Sequence, residues 1–256
     1  MWGLRLNESL VALALAAGLS AAGAGSAAGQ VAPAIANAQP VGIDVSATHG
    51  DVNWDGAAAS NVRFAYIHAT EGIQYKSPTF DAQYDGAADD KLIRGAYHVA
   101  LPDQSSGAAQ ADFFVDNGGG WSADGQTLPG AVSLSYNPAG ATCYDLSPAE
   151  LIGWIHDFAD EYKARVGREV VIQTTADWWN SCTDSATEFG ALHPLWVAQY
   201  GISDPMLPAG WSYYTFWQYA STSQLPGVSG VVTGSLFKGD AAQLQGFASG
   251  TLPPQP

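Results

Sequence analysis

Polar side chains recur at the downstream ends of short apolar runs in this chain. They are Asp44, His68, Glu71, His98, Ser133, Ser135, Thr174, Thr175, Gln199, Gln218 and Thr233. Two of these are carboxylates that could serve one site, Asp44 near the end of the run at 42–46 and Glu71 just past the run at 64–70. Carboxyl groups roughly 5–9.5 Å apart can divide a glycosidic cleavage between a proton donor and a nucleophile or base. The plainer readings are a strand-end hydrogen-bond anchor for Asp44 and a local loop role for Glu71. Asp177, beside Trp178, is a further acid whose plainer place is the start of a helix. His49 has Asp51 and Asp55 nearby, but not at metal-ligand spacing, so no metal is expected. No Gly-x-Ser-x-Gly, Walker or dinucleotide fingerprint occurs, and no cofactor is expected.

The elements that must position these groups are legible in the apolar pattern. Runs at 42–46, 64–70, 94–100, 130–136, 170–175, 195–200, 214–220 and 231–235 predict strands. Helical patterns intervene from Ser77-Pro78 to about Asp89 and over 106–117. A third opens with Ser147 as N-cap and Pro148 at the first helical position, ahead of Leu151, Ile152, Trp154, Ile155 and Phe158. Strands alternating with helices argue for a parallel α/β arrangement. Eight strands in about 210 residues suggest one TIM-barrel-like (β/α) domain, irregular and with few helices in its last third. In such a barrel the chemistry sits at the C-terminal ends of the strands, where the polar groups above fall. Within one strand, a spacing of two puts Ser133 and Ser135 on one face, pointing into the mouth.

The chain has 256 residues, with 9 Lys and Arg against 24 Asp and Glu and a net charge of -15. That sign excludes a protein tracking a nucleic-acid backbone and disfavours anionic membrane surfaces. Arg5 precedes an apolar run at 10–19, too short to span a bilayer, and an Ala/Gly/Ser-rich stretch then ends in Ala36-Asn37-Ala38. A signal peptide and leader over 1–38 is expected, cleaved after Ala38 or, alternatively, earlier in the Ala/Gly stretch. The domain is then 39–256, secreted and monomeric. In an exported chain Cys143 and Cys182 are expected to form a disulfide, the alternative being two buried free thiols.

At this point the residues resemble a known family, the glycoside hydrolase family 25 lysozymes. The resemblance is carried by Gly42-Ile43-Asp44-Val45-Ser46, Ala65-Tyr66-Ile67-His68-Ala69-Thr70-Glu71-Gly72 and Arg94-Gly95-Ala96-Tyr97-His98. It continues through Thr174-Thr175-Ala176 with Trp178-Trp179-Asn180, then Trp196-Val197-Ala198 and Phe216-Trp217-Gln218-Tyr219. Each motif alone is weak, but together, in family order, they cover about residues 41–248. Members are N-acetylmuramidases that cleave the β-1,4 bond between N-acetylmuramic acid and N-acetylglucosamine. The resemblance implies an irregular α/β barrel with peptidoglycan as its partner. It also implies a site with an Asp ending the first strand, an Asp-x-Glu ending the fourth and an Asp near the last, the Glu being the general acid.

The sequence departs from that pattern where the chemistry is. Ser133 and Ser135 stand for the Asp-x-Glu, Thr233 for the last Asp, and His68 for a family Lys; only Asp44 keeps its carboxylate. A shifted alignment does not help, because no Asp or Glu lies between Asp124 and Asp145. A serine hydroxyl is too weak an acid to protonate the leaving oxygen, and losing a positioned general acid costs about 10²–10⁴-fold. The leading expectation is a secreted peptidoglycan-binding protein with impaired hydrolysis. An active muramidase using Asp44 and Glu71 is one alternative, and a non-enzymatic protein-interaction module is another. Tyr97, His98, Gln199 and Trp217 are the expected substrate-binding residues, with most other tryptophans packing the core.

Overall fold

The computed structural model describes residues 39–222 and 225–251, so the expected leader at 1–38 lies outside the described residues. The strands are β1 (Val41–Val45), β2 (Val62–Glu71), β3 (Tyr75–Lys76), β4 (Ile93–Val99), β5 (Ala131–Ser133), β6 (Val171–Thr174), β7 (Leu195–Ala198), β8 (Phe216–Thr222) and β9 (Val232–Phe237). The helices are α1 (Trp54–Ala59), α2 (Phe80–Asp89), α3 (Gly107–Phe114), α4 (Pro148–Val166), α5 (Ala176–Cys182) and α6 (Ala241–Ala248). The sheet runs β1-β9-β8-β7-β6-β5-β4-β2, and β1 pairs with β2, which closes it into a barrel of eight strands; β3 is a short hairpin partner of β2. All eight expected strands are present. The expectation of parallel pairing fails at the last one, because β9 runs antiparallel to both β8 and β1. A parallel return needs a crossover, usually a helix, and the described residues between β8 and β9 form none.

The longest helix follows its sequence signals closely. Ser147 and Glu150 form a reciprocal capping box ahead of α4, and Leu151, Trp154, Ile155, Phe158, Ala159 and Tyr162 are its buried stripe. Two shorter helices, α1 and α6, were not expected, and α5 was anticipated only through Asp177 as a helix-start acid. They span six to eight residues each, too short for a period of 3.6 to declare itself.

The barrel interior changes character from base to mouth. Its lower layer is aromatic: Tyr66 stacks on Trp196 at 4.7 Å, and Phe216 meets Phe64, Phe237 and Phe247 at 5.2–5.7 Å between ring centres. Gly42 and Gly95 make room for these rings, since a Cβ would lie 2.2 Å from Phe64 at the first position and 2.6 Å from Tyr66 at the second. Gly42→Ala should therefore destabilise the barrel by about 1–3 kcal/mol, the usual cost of overpacking. A urea midpoint unchanged from the wild-type chain would refute this packing argument.

One covalent tie crosses the fold. Cys143, in the loop after β5, is bonded to Cys182 at the end of α5, with Cα atoms 5.4 Å apart. The indole Nε1 of Trp178 in α5 donates to Thr142 O at 3.1 Å, reinforcing the same junction.

Candidate functional site

Above the aromatic layer the inward positions turn polar. Strand register places Asp44 opposite Thr233, Ser133 opposite Gln173 and Ala198 opposite Gln218. Because β9 runs the other way, its first residues, not its last, reach the mouth. That brings Thr233 against Asp44. The Thr233 hydroxyl donates to Asp44 Oδ1, and Gln218 Nε2 donates to the same oxygen at 2.8 Å. Tyr200 completes the chain by donating its hydroxyl to Gln218 Oε1 at 2.6 Å. Burial pushes the Asp44 carboxyl above the usual carboxylate range, while Thr233, Gln218 and the nearby His49 pull it down without cancelling the rise.

His49 pins the turn after β1 to the segment before β9. Its Nδ1 accepts from Ser46 N–H and its Nε2–H donates to Val231 O, each at 2.9 Å. Across the mouth, Ser133 is 6% exposed and donates to Gln173 Oε1 at 2.6 Å. Ser135 lies two residues beyond, already past the end of β5 and partly exposed. Glu71, at the end of β2, is partly buried, and that burial raises its carboxyl. Tyr97 stacks on His68 at 4.8 Å, and the charges of Asp44 and Glu71 both act on its phenol, which burial first raises. Asp44 pairs with Tyr66, Tyr97 with His68 and Glu71 with Val99, so the three lie on neighbouring strands at the mouth. Gln199 is partly exposed and receives Met206 N–H on its Oε1 at 2.7 Å.

Two expected substrate contacts are placed elsewhere. Trp217 is 2% exposed and points outward from the barrel, donating its Nε1 to Gln199 O while Gln218 takes the inward position. His98 is fully buried behind the mouth. Its Nε2–H donates to Gln110 Oε1 at 3.0 Å and its Nδ1 accepts from the Thr70 hydroxyl at 2.8 Å, so neither nitrogen is left for a ligand. Asp177 lies in the first turn of α5, the structural place anticipated for it. Gln173 and Tyr200 belong to the mouth network and were not anticipated. A polar Gln173 inside the apolar run of β6 was the signal that could have found the first.

The buried histidines carry a measurable consequence. Burial lowers His68 to about 4 and His98 to about 3, and lowers His193 as well. In the unfolded chain these rings protonate near an ordinary value of about 6.5, so below that pH the unfolded state binds more protons than the folded one. Stability should fall as pH drops from about 7 to about 5, by up to about 1.4 kcal/mol per pH unit for each ring. The raised carboxyls of Asp44 and Glu71 act with the opposite sign, because the folded chain takes up their protons above the ordinary carboxylate range, before the unfolded chain does. Urea titrations across that window test the sign; a flat or rising stability would contradict it.

Comparison with known proteins adds the following. The profile of the glycosyl hydrolases family 25 matches residues 43–228. Lysozyme M1 of Streptomyces globisporus is 50% identical over 210 residues, 82% of this chain and 71% of the relative. The N,O-diacetylmuramidase of Arthroderma benhamiae is 45% identical over 209 residues, 82% of this chain and 86% of the relative. Among solved structures, the bacterial lysozyme from Streptomyces coelicolor superposes with a TM-score of 0.82 at 49% identity, covering 84% of this chain and all of that one.

Proposed function

This chain belongs to the glycosyl hydrolases family 25, and from that premise we propose that it is an exported protein that binds cell-wall peptidoglycan and has lost most or all of its hydrolytic power. The relatives named lysozyme and muramidase support peptidoglycan as the ligand. The observation that carries the loss of hydrolysis is the state of Asp44. Thr233 donates its hydroxyl to it, Gln218 donates to both Asp44 and the Thr233 oxygen, and Ser133 is turned to Gln173. Cleavage needs a proton donor at the leaving oxygen and negative charge beside the developing oxocarbenium ion. Hydroxyls and amides at Ser133, Ser135, Thr233 and Gln173 supply neither. The polar mouth and the aromatic ring of Tyr97 remain suited to holding a sugar.

A second reading rests on Glu71. Its raised carboxyl is a plausible proton source, and its charge reaches the same phenol as that of Asp44. One experiment separates the two: reducing-end release from purified peptidoglycan, with sedimentation of the same protein on the same material. Binding without release is expected. Release at lysozyme-like rates, abolished by Glu71→Gln, would establish the second reading. Absence of both binding and release would point to a protein-interaction module.

A further inference from the structure

The mouth keeps a strong negative charge even without the family carboxylates. Asp44, Asp51, Glu71, Asp103 and Asp145 lie in or after the mouth ends of β1, β2, β4 and β5, and none forms an ion pair among the described residues. Lys76 is the one basic side chain placed there among the described Lys and Arg, and it faces Asp81 at 3.5 Å. The others sit where β2 and β4 begin, where α4 ends and where the antiparallel β9 ends, all at the base. Glu71 pairs with Val99 at the end of β4 and Asp103 follows four residues on, so these two acids lie at adjacent strand ends.

Two further features share this end. Exposed apolar and aromatic side chains rim it: Ile73, Tyr75, Tyr136, Met206 and Val231. Beside β1, a cavity of about 240 Å³ is lined by Gly50, Asp51, Val52, Thr79, Ala82 and Gln83. Gln83 is 2% exposed and its Nε2 donates to Ser46 O and Gly50 O, which fixes the amide orientation. Its Oε1 is left buried with no donor among the described residues. A buried acceptor without a partner, next to a carboxylate, is suited to a ligand that brings N–H donors and positive charge.

We propose that this mouth prefers glycan strands whose hexosamines carry free, protonated amines in place of neutral acetamides. The proposal rests on the glycan-binding reading above and names the class of strand. The exposed flat ring of Tyr136 favours a sugar over a basic polypeptide, because pyranose faces lie on aromatic surfaces while the carboxylates take the ammonium groups.

Titration of the purified chain with glucosamine and N-acetylglucosamine hexasaccharides tests this in mildly acidic buffer, where the sugar amines are charged. Neither probe carries a stem peptide, so amines from that source cannot contribute. The amine form should bind at least about tenfold more tightly, and the preference should shrink as salt shortens the Debye length. Asp51→Asn/Asp103→Asn should bring the ratio toward one with no change in melting temperature. Equal affinities would overturn the preference and leave the broader reading intact. Binding of neither hexasaccharide would also overturn it, and sedimentation with peptidoglycan then decides whether the broader reading survives. Tighter binding of an oligolysine than of the amine hexasaccharide would overturn it in favour of a basic polypeptide partner.

Discussion

Ser133→Asp/Ser135→Glu/Thr233→Asp should release reducing ends from peptidoglycan at least about a hundredfold faster than the wild-type chain, the low end of what a positioned acid contributes. Each substitution has a distinct place in the structure. Thr233→Asp sets a second carboxyl directly against Asp44, where the two cannot both ionise cheaply, and they should titrate as a coupled pair. Ser133→Asp replaces a donor to Gln173 Oε1 with an acceptor, so the Gln173 amide must turn to present its Nε2. On the proposed reading, Ser135→Glu supplies a general acid from a partly exposed position just past β5. Alone it should give partial recovery, since the surrounding charge would still be missing. Full recovery is not expected either, because the supporting groups at Gln173, Gln218 and Tyr200 now serve a network with Asp44 as its one acid. The triple variant should also melt below the wild-type chain at neutral pH, since close carboxylates repel in a half-buried site. A variant that folds, binds peptidoglycan and releases nothing would show that the groove itself no longer presents the bond for cleavage.

Cys143→Ala/Cys182→Ala should cost about 3–4 kcal/mol of stability, the chain-entropy value for closing a loop of roughly forty residues. The bridge spans a sequence separation of 39. For a domain of this size that loss corresponds to a fall in melting temperature on the order of 10 °C. Alanine is the sharper probe, because Cys182 is 1% exposed and a serine there would add the cost of a buried hydroxyl. The wild-type chain treated with reductant should reproduce the shift, and intact mass without reductant should show no alkylatable thiol. Equal melting temperatures for the bridged and alanine forms would mean that the Trp178–Thr142 hydrogen bond and the surrounding packing hold the junction unaided.

Much of this was decided within short stretches of chain. The eight barrel strands declare themselves because each is a run of β-branched, aromatic and small apolar residues bounded by breakers. The long helix α4 was legible through Ser147, Pro148 and Glu150, since capping depends on neighbours within one turn. The pairing of Cys143 with Cys182 followed from there being two cysteines in an export-like chain. The expectation that Ser133 and Ser135 stand where the family carries acids needed only the order of motifs along the chain.

Other features depended on partners distant in sequence. Barrel strands are buried on both faces, so Phe216-Trp217-Gln218-Tyr219 carries no alternation to say which side chains point inward. Register with β7 and β9 puts Gln218 inside and Trp217 outside. His98 looked like a mouth residue because it ends a strand, yet Thr70 and Gln110, 28 and 12 residues away, take both its nitrogens into the core. The direction of β9 mattered most. Thr233 meets Asp44 across 189 residues because the last strand enters the barrel from the mouth. Sequence alone determined which residue types the barrel could bring to its opening. Tertiary structure decided which of them touch, because strand direction and register are settled by pairing between segments that no local pattern connects.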